Sequence, residues 1–176
     1  MTPQPFKAGT VLLVRHAKAT GQEPDAPLTP EGVAQADALA QQLCALNITR
    51  LVSSPWTRAQ DTARPLAKRY GLDIQTDERL TERVLSGRDL PYWRTALRAS
   101  FAFPSLRFAG GESGAAARRR IQAVLNEKTD PDGVTVFVTH GNLLALGLGL
   151  NYEGWAALKN PDVWVCAQPA YRWEPT

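Results

Sequence analysis

Two stretches of the chain share one plan: an unbroken apolar run that stops on a histidine. "GTVLLV" (Gly9 to Val14) leads into Arg15 and His16, and "VTVFVT" (Val134 to Thr139) leads into His140. Short continuous apolar runs, without polar alternation, are the pattern of strands covered on both faces. "RLVSS" (Arg50 to Ser54) predicts another short strand, and "DIQT" (Asp73 to Thr76) a weak one. The tail around "VWVCAQPAYRW" predicts one or two edge strands.

Between these runs the apolar spacing turns helical. "LTPEG" offers Thr29 as an N-cap with Pro30 at the first helical position, and Val33, Ala36, Ala40 and Leu43 follow as one stripe. "SPWTRAQDTARPLAKRYGL" opens with Ser54 as the expected cap and closes on Gly71, while Pro65 is expected to kink or split the helix. "ESGAAARRRIQAVLNEK" and "GNLLALGLGL" complete the helices, the second apolar enough to be interior. From about 80 to 111 the pattern breaks into loops and one or two short helices, an irregular insertion. Its aromatics Tyr92, Trp93, Phe101, Phe103 and Phe108 either line a substrate entrance or fill a small core, and the core is expected.

Strand and helix in alternation predict an α/β fold, a three-layer α/β/α sandwich with a mostly parallel central sheet. The length of 176 residues fits a single domain over 1–176. In such sheets ligands bind beyond the carboxyl ends of the strands, where His16, Ser53, Ser54 and His140 fall.

Composition narrows the class. With 44% hydrophobic and 21% charged residues, the chain can bury a substantial core. The opening "MTPQPFKAGT" lacks the features of a secretory signal, and no run approaches the roughly 18 apolar residues of a membrane span. Cys44 and Cys166 form no metal or redox motif and are expected to be packed thiols. A cytoplasmic protein without a membrane partner is the expectation. The net charge of +3, carried by 15 Arg and 5 Lys, is too small to argue for nucleic acid. The "RRR" at Arg118 to Arg120 is expected to be a solvated helix surface.

The two histidines are the only ones in the chain. Zinc ordinarily takes three or four ligands, so no metal site is expected. Arg15 beside His16 points instead to an anion, because a guanidinium offers a planar fork of donors to phosphate. The same charge disfavours protonation of the imidazole and leaves a neutral nitrogen nucleophile.

"VRHA", "SSPWTRAQDTA", "LTER", "GGES" and "VTHGN" occur in the order and rough spacing of the histidine phosphatase superfamily. From about Val11 to Asn142 the chain resembles the branch that holds cofactor-dependent phosphoglycerate mutases and their phosphatase relatives. The resemblance implies His16 as the nucleophile that carries a transient phosphoryl group, with Arg15, Arg58 and His140 as the positive pocket. It implies Glu82 as the proton donor to the leaving alkoxide and then the base that activates water. Gly141 and Asn142 would offer backbone N–H groups, and Gln22 stands where a substrate-binding Asn is common. No cofactor is implied.

Each assignment has a plainer rival. Arg58 could pair with Asp61 along its helix, Glu78 competes with Glu82, and Ser113 with Glu112 could serve only to start a helix. Ala17 replaces the family's usual Gly, and its methyl is expected to crowd the phosphate pocket or change the backbone angle. Lys18 either adds a phosphate contact or faces solvent. The short segment after Glu82 favours a phosphatase acting on a small phosphomonoester. The alternatives are mutase-like transfer, a non-catalytic phospho-ligand binder and a phosphohistidine-bearing protein substrate. Activity is expected to fall with protonation of His16, near the ordinary imidazole pKa of about 6.5.

Overall fold

The computed structural model describes residues 6–175. Residues 1–5, half of the stretch considered for a secretory signal, lie outside the described residues. The elements are β1 (Val11–Arg15), α1 (Pro30–Gln42), β2 (Ile48–Ser53), α2 (Thr57–Tyr70), β3 (Ile74–Thr76) and α3 (Trp93–Ala102). They continue with α4 (Gly114–Lys128), β4 (Val134–Thr139), α5 (Gly141–Leu148), α6 (Tyr152–Ala156), β5 (Asp162–Val165) and β6 (Tyr171–Arg172).

The six strands lie in the order β3-β2-β4-β1-β5-β6. The β3–β2, β2–β4 and β4–β1 pairs are parallel, and β5 and β6 add an antiparallel edge. Successive side chains of a strand point to opposite faces, and this separates two cores. Leu12, Val14, Val134, Val136 and Val138 join Leu39 of α1, Leu43 just after it, and Ala63 and Leu66 of α2 on one face. Leu13 and Phe137 join Ala117 and Ile121 of α4 and Leu143 and Leu144 of α5 on the other. All of β4 is buried. This is a mostly parallel sheet with helices on both faces, a three-layer α/β/α arrangement.

Local chemistry sets the helix ends. Thr29 accepts the Gly32 N–H and Pro30 opens α1, while Gly71 ends α2 at φ 63°. A Cβ on Gly32 would stand 2.0 Å from the Lys18 carbonyl oxygen, so only glycine lets α1 approach the loop after His16. The α1 stripe departs from expectation at its start: Val33 is 52% exposed, and the helix packs through Ala36, Leu39 and Ala40. Pro65 does not split α2, which runs unbroken because Ala59, Thr62, Ala63, Leu66 and Ala67 are buried on either side of it. Cys44 is exposed, contrary to expectation, whereas burial pushes the Cys166 thiol up to about 12.

The segment between Arg83 and Glu112 is closed at its base. The Glu112 N–H donates to the Val84 carbonyl at 2.8 Å, and Arg83 Nε donates to the Glu112 carbonyl at 3.1 Å. Gly87 N–H donates to the Ala109 carbonyl at 2.9 Å, and a Cβ on Gly111 would stand 2.1 Å from the Leu85 carbonyl oxygen. Within the segment, Tyr92, Trp93 and Phe103 are exposed, which corrects the reading of these aromatics as core. Phe101 is half-buried and packs on the α4/α5 side of the sheet.

Candidate active site

β1 and β4 are neighbours in register, with Arg15 opposite Thr139, so His16 and His140 leave the sheet side by side. The His16 N–H donates to the Thr139 carbonyl at 3.0 Å, and the Ser54 N–H to the Val138 carbonyl at 2.9 Å. Three strand ends therefore converge beyond the carboxyl edge of the sheet. The imidazole centroids are 5.2 Å apart in an edge-to-face arrangement. His16 is 7% exposed and His140 fully buried.

His16 is held in one tautomer. Its Nδ1 lies 2.7 Å from the Ala17 carbonyl oxygen, which can only accept, so Nδ1 carries the proton and Nε2 keeps a lone pair. Arg58 Nε donates to that lone pair at 3.1 Å. Burial lowers the His16 pKa to about 4; the Ala17 hydrogen bond opposes this, and the charges of Arg58 and Arg15 add to it. Burial likewise pushes His140 well below its ordinary value, helped by His16 and Arg58. Both rings are neutral near pH 7.

Arg58 is fully buried and does not pair with Asp61, which is engaged by Arg64 at 2.8 Å. Its Nη1 donates to the carbonyls of Gln22 at 3.2 Å and Glu23 at 2.8 Å, and its guanidinium lies 4.8 Å from the Trp56 ring centroid. Gln22 thus meets the site through its backbone, with an exposed side chain. Arg15 runs beside Gly141, where a Cβ would lie 3.0 Å from its Nε and 3.1 Å from its Cζ. Arg15 Nη1 donates to the Leu158 carbonyl at 3.1 Å, while the buried Nε has no partner. Burial lowers the pKa of both arginines, and the Glu82 charge opposes that shift.

Glu82 follows a 3₁₀ turn at Glu78–Leu80, and three bonds fix that turn. Thr139 Oγ1 donates to the Leu80 carbonyl at 2.7 Å, and Arg120 Nη1 donates to the carbonyls of Arg79 at 2.6 Å and Thr81 at 2.9 Å. Arg120 is further locked to Glu112 at 2.8 Å, so of the arginine triplet only Arg118 and Arg119 are exposed. The Glu82 carboxylate sits at the N-terminus of α5. Oε1 accepts from Arg83 N–H at 2.8 Å and Leu143 N–H at 2.9 Å, and Oε2 accepts from Asn142 N–H at 3.0 Å. The Asn142 amide expected to face a phosphate is therefore already engaged. Glu78 is exposed in the turn.

Ala17 departs from the expectation of crowding. No residue other than glycine has positive φ among the described residues, so its backbone lies outside the left-handed region. Its methyl packs with Leu28 and Ala36 in a small apolar cluster. Lys18 is exposed and paired with Glu31. Ser113 caps α4 by accepting the Ala116 N–H.

Ser54 is not the cap of α2, whose N-cap is Trp56. Its Oγ accepts the Trp56 N–H at 3.3 Å and lies 2.8 Å from His140 Nε2. Three other supporting residues escaped sequence reasoning. Thr62 Oγ1 accepts the Ala17 N–H at 2.9 Å and donates to the Arg58 carbonyl at 2.7 Å. Its place one turn after Arg58 was the available signal. Asn160 Nδ2 donates to the His16 carbonyl at 2.9 Å, and Trp56 packs edge-to-face on His140 at 4.8 Å; nothing local in the sequence marks either.

No group of three His, Cys, Asp or Glu side chains suited to a metal occurs among the described residues. A groove of about 960 Å³ between α1 and α2 holds neither histidine. A phosphoryl group requires donors more than volume, and the donors are at the strand ends.

The fold and this strand-end pair of histidines define a class, and direct comparison gives the family. Residues 11–158 match the model of the histidine phosphatase superfamily (branch 1), and the chain belongs to that family. The chain is 34% identical over 161 residues to a probable phosphoglycerate mutase, GpmB, of Proteus mirabilis, a match covering 80% of this chain and 75% of that one. Its structure is similar to a mycobacterial glucosyl-3-phosphoglycerate phosphatase, with TM-score 0.70, 28% identity and 90% of each chain covered. It is also similar to the complex of that phosphatase with inorganic phosphate, with TM-score 0.67, 28% identity and 88% of each chain covered. No helix among the described residues is long and apolar enough to cross a membrane.

Proposed function

We propose that the protein is a phosphatase that hydrolyses a small phosphomonoester through a phosphohistidine formed on His16. The observation that carries this reading is the state of that imidazole: buried, neutral, with Nδ1–H tied to Ala17 and Nε2 facing a guanidinium. The mycobacterial phosphatase and its phosphate complex lend support from a similar fold.

In the first half-reaction His16 Nε2 attacks phosphorus and the bond to the leaving oxygen breaks. Phosphoryl transfer depends chiefly on position and on neutralising the phosphoryl oxygens. Arg15 Nε, buried and without a partner, and the Arg58 guanidinium are the donors for that task. Glu82 protonates the departing alkoxide. A carboxylate has about four lone-pair positions. Two N–H groups fill those of Oε1 and one occupies Oε2, so Oε2 retains a place for a proton without leaving α5. In the second half-reaction Glu82 takes a proton from water, water attacks the phosphohistidine, and phosphate leaves with His16 regenerated. This scheme routes no step through a metal.

A second reading, mutase-like transfer, is favoured by the name of the Proteus relative. Incubation with 3-phosphoglycerate distinguishes the two: free phosphate is expected, and an isomerised phosphoglycerate without phosphate release would favour the mutase. The nucleophile is tested by trapping a radiolabelled phosphoryl group under an alkaline quench, as an alkali-stable, acid-labile adduct. Label is expected on wild-type protein and absent from His16→Ala. Turnover at the wild-type rate in His16→Ala would sink the proposal.

A further inference from the structure

His140 is buried, has one ring nitrogen on a serine and leaves the other without a partner. Its Nε2 lies 2.8 Å from Ser54 Oγ, and its Nδ1 is buried and unpaired. A neutral imidazole carries a single proton, so one of two tautomers must be present. The surroundings of Ser54 decide which. Ser54 Oγ already accepts the Trp56 N–H at 3.3 Å, and among the described residues it has no partner other than that amide and His140.

If His140 carried its proton on Nε2, the serine oxygen would receive two donors and its own proton would have no acceptor. That tautomer leaves two buried groups unpaired, the serine O–H and the Nδ1 lone pair, whereas the other leaves only the Nδ1 N–H. If the serine proton instead goes to Nε2, Trp56 N–H, Ser54 O–H and His140 Nε2 form one satisfied chain. The proton of His140 then resides on Nδ1, the nitrogen that lacks a protein acceptor. An unpaired buried N–H in a site that also holds the guanidinium donors of Arg15 and Arg58 is a place for an anion's oxygen.

We infer that Ser54 is a positioning residue that fixes His140 as the Nδ1–H tautomer, making this imidazole a neutral hydrogen-bond donor to the phosphoryl group. The inference rests on the phosphatase reading for what the donor serves, though the tautomer itself belongs to the resting protein. Both histidines then carry their proton on Nδ1 and use it differently. His16 spends that proton on Ala17 to free a nucleophilic Nε2, and His140 spends its Nε2 on Ser54 to free a donor. Burial, with His16 and Arg58 nearby, supports a neutral His140. The Trp56 ring, edge-to-face at 4.8 Å, helps fix the imidazole plane.

The chain has only two histidines, so nitrogen NMR of imidazole-labelled protein is directly assignable with His16→Ala as reference. The expected wild-type result is a pyrrole-type Nδ1 and a pyridine-type Nε2 for His140. Adding inorganic phosphate should shift the Nδ1–H proton downfield. Ser54→Ala should yield mixed tautomers and reduce kcat by about 10- to 100-fold, as for outer partners that orient an imidazole. Ser54→Thr should restore the single tautomer. A pyrrole-type Nε2 in the wild type overturns the inference, as does an unchanged His140 spectrum on adding phosphate or in Ser54→Ala. If Ser54→Ala does not fold, the wild-type spectra and Ser54→Thr still decide. Failure to trap label on His16 with the tautomer intact would remove the phosphatase reading and leave the assignment in the resting protein.

Discussion

Arg58 donates its Nε–H to Nε2 of His16 at 3.1 Å, so the nitrogen assigned to attack phosphorus already faces a guanidinium in the resting protein. A donor on that lone pair favours the neutral ring, and a cation beside it disfavours a second proton. On entry of a phosphoryl group the same guanidinium can turn its fork to the oxygens. In the proposed reaction, resting and working states would use one arginine for two purposes.

The acid limb of the rate is therefore displaced. With the His16 pKa lowered to about 4 from 6.5, kcat/KM should stay level through pH 6.5 and fall only near pH 4. This replaces the sequence expectation of a fall near 6.5. Between those values the unfolded chain binds the proton and the folded chain does not. Stability contributed by a neutral His16 is therefore complete above about 6.5 and is lost as pH falls toward 4, by about 3 kcal/mol in all. A pH–rate profile with parallel urea melts checks both; a rate midpoint at 6.5 would contradict the burial argument.

Arg58→Lys keeps the charge and loses the fork. The ammonium cannot bond His16 Nε2, Gln22 and Glu23 together as the guanidinium does. A loss of about 100- to 1000-fold in kcat/KM for a phosphomonoester is expected. Steady-state kinetics checks it, with circular dichroism to show that the fold is retained.

Glu82→Gln should discriminate by leaving group. Loss of a general acid is expected to cost about 100- to 10,000-fold for an alkyl phosphate. For 4-nitrophenyl phosphate, whose leaving group needs little protonation, the first half-reaction should be far less affected. A burst of nitrophenol followed by slow turnover is the expected trace. Absence of the burst, with the first half-reaction slowed equally for both substrates, would place Glu82 in structure alone, as the acceptor of Asn142 and Leu143 N–H.

Ala17→Gly restores the residue common in the family, and little catalytic gain is expected. The Ala17 methyl packs with Leu28 and Ala36, and the backbone has no positive φ to relieve. Removing a fully buried methyl and adding chain entropy should instead lower stability by about 1–2 kcal/mol. Thermal melts and kcat compared side by side check this.

Much of the site was legible because buried parallel strands leave continuous apolar runs, and the residues that end those runs lie at one edge of the sheet. His16, Arg15 and His140 announced themselves in that way, whereas Arg58, on α2, was marked only by the family resemblance. Ser54 did not, since a serine before a proline looks the same whether it caps a helix or pairs with a distant imidazole. Val33 fits the helical stripe in spacing, but α1 meets its neighbour through alanines and leucines and leaves Val33 at the margin. Pro65 carries a helix-breaking signal worth about 3 kcal/mol, outweighed by the buried residues around it. Asn160 and Trp56 reach the histidines only through tertiary packing, which no local pattern encodes.

The closed base of the Arg83–Glu112 segment has an engineering consequence. Its two ends are pinned by backbone bonds, from Glu112 to Val84 and from Gly87 to Ala109, while Glu82 is anchored separately on α5. The exposed residues 91–95 can then be exchanged like a cassette, since doubling such a loop costs only about 0.6 kcal/mol in closure entropy, whereas Ala96, Leu97 and Ser100 of α3 are buried and must stay. New selectivity could be installed there by transplanting a foreign excursion onto the same two-point clasp, with the machinery beneath it left untouched.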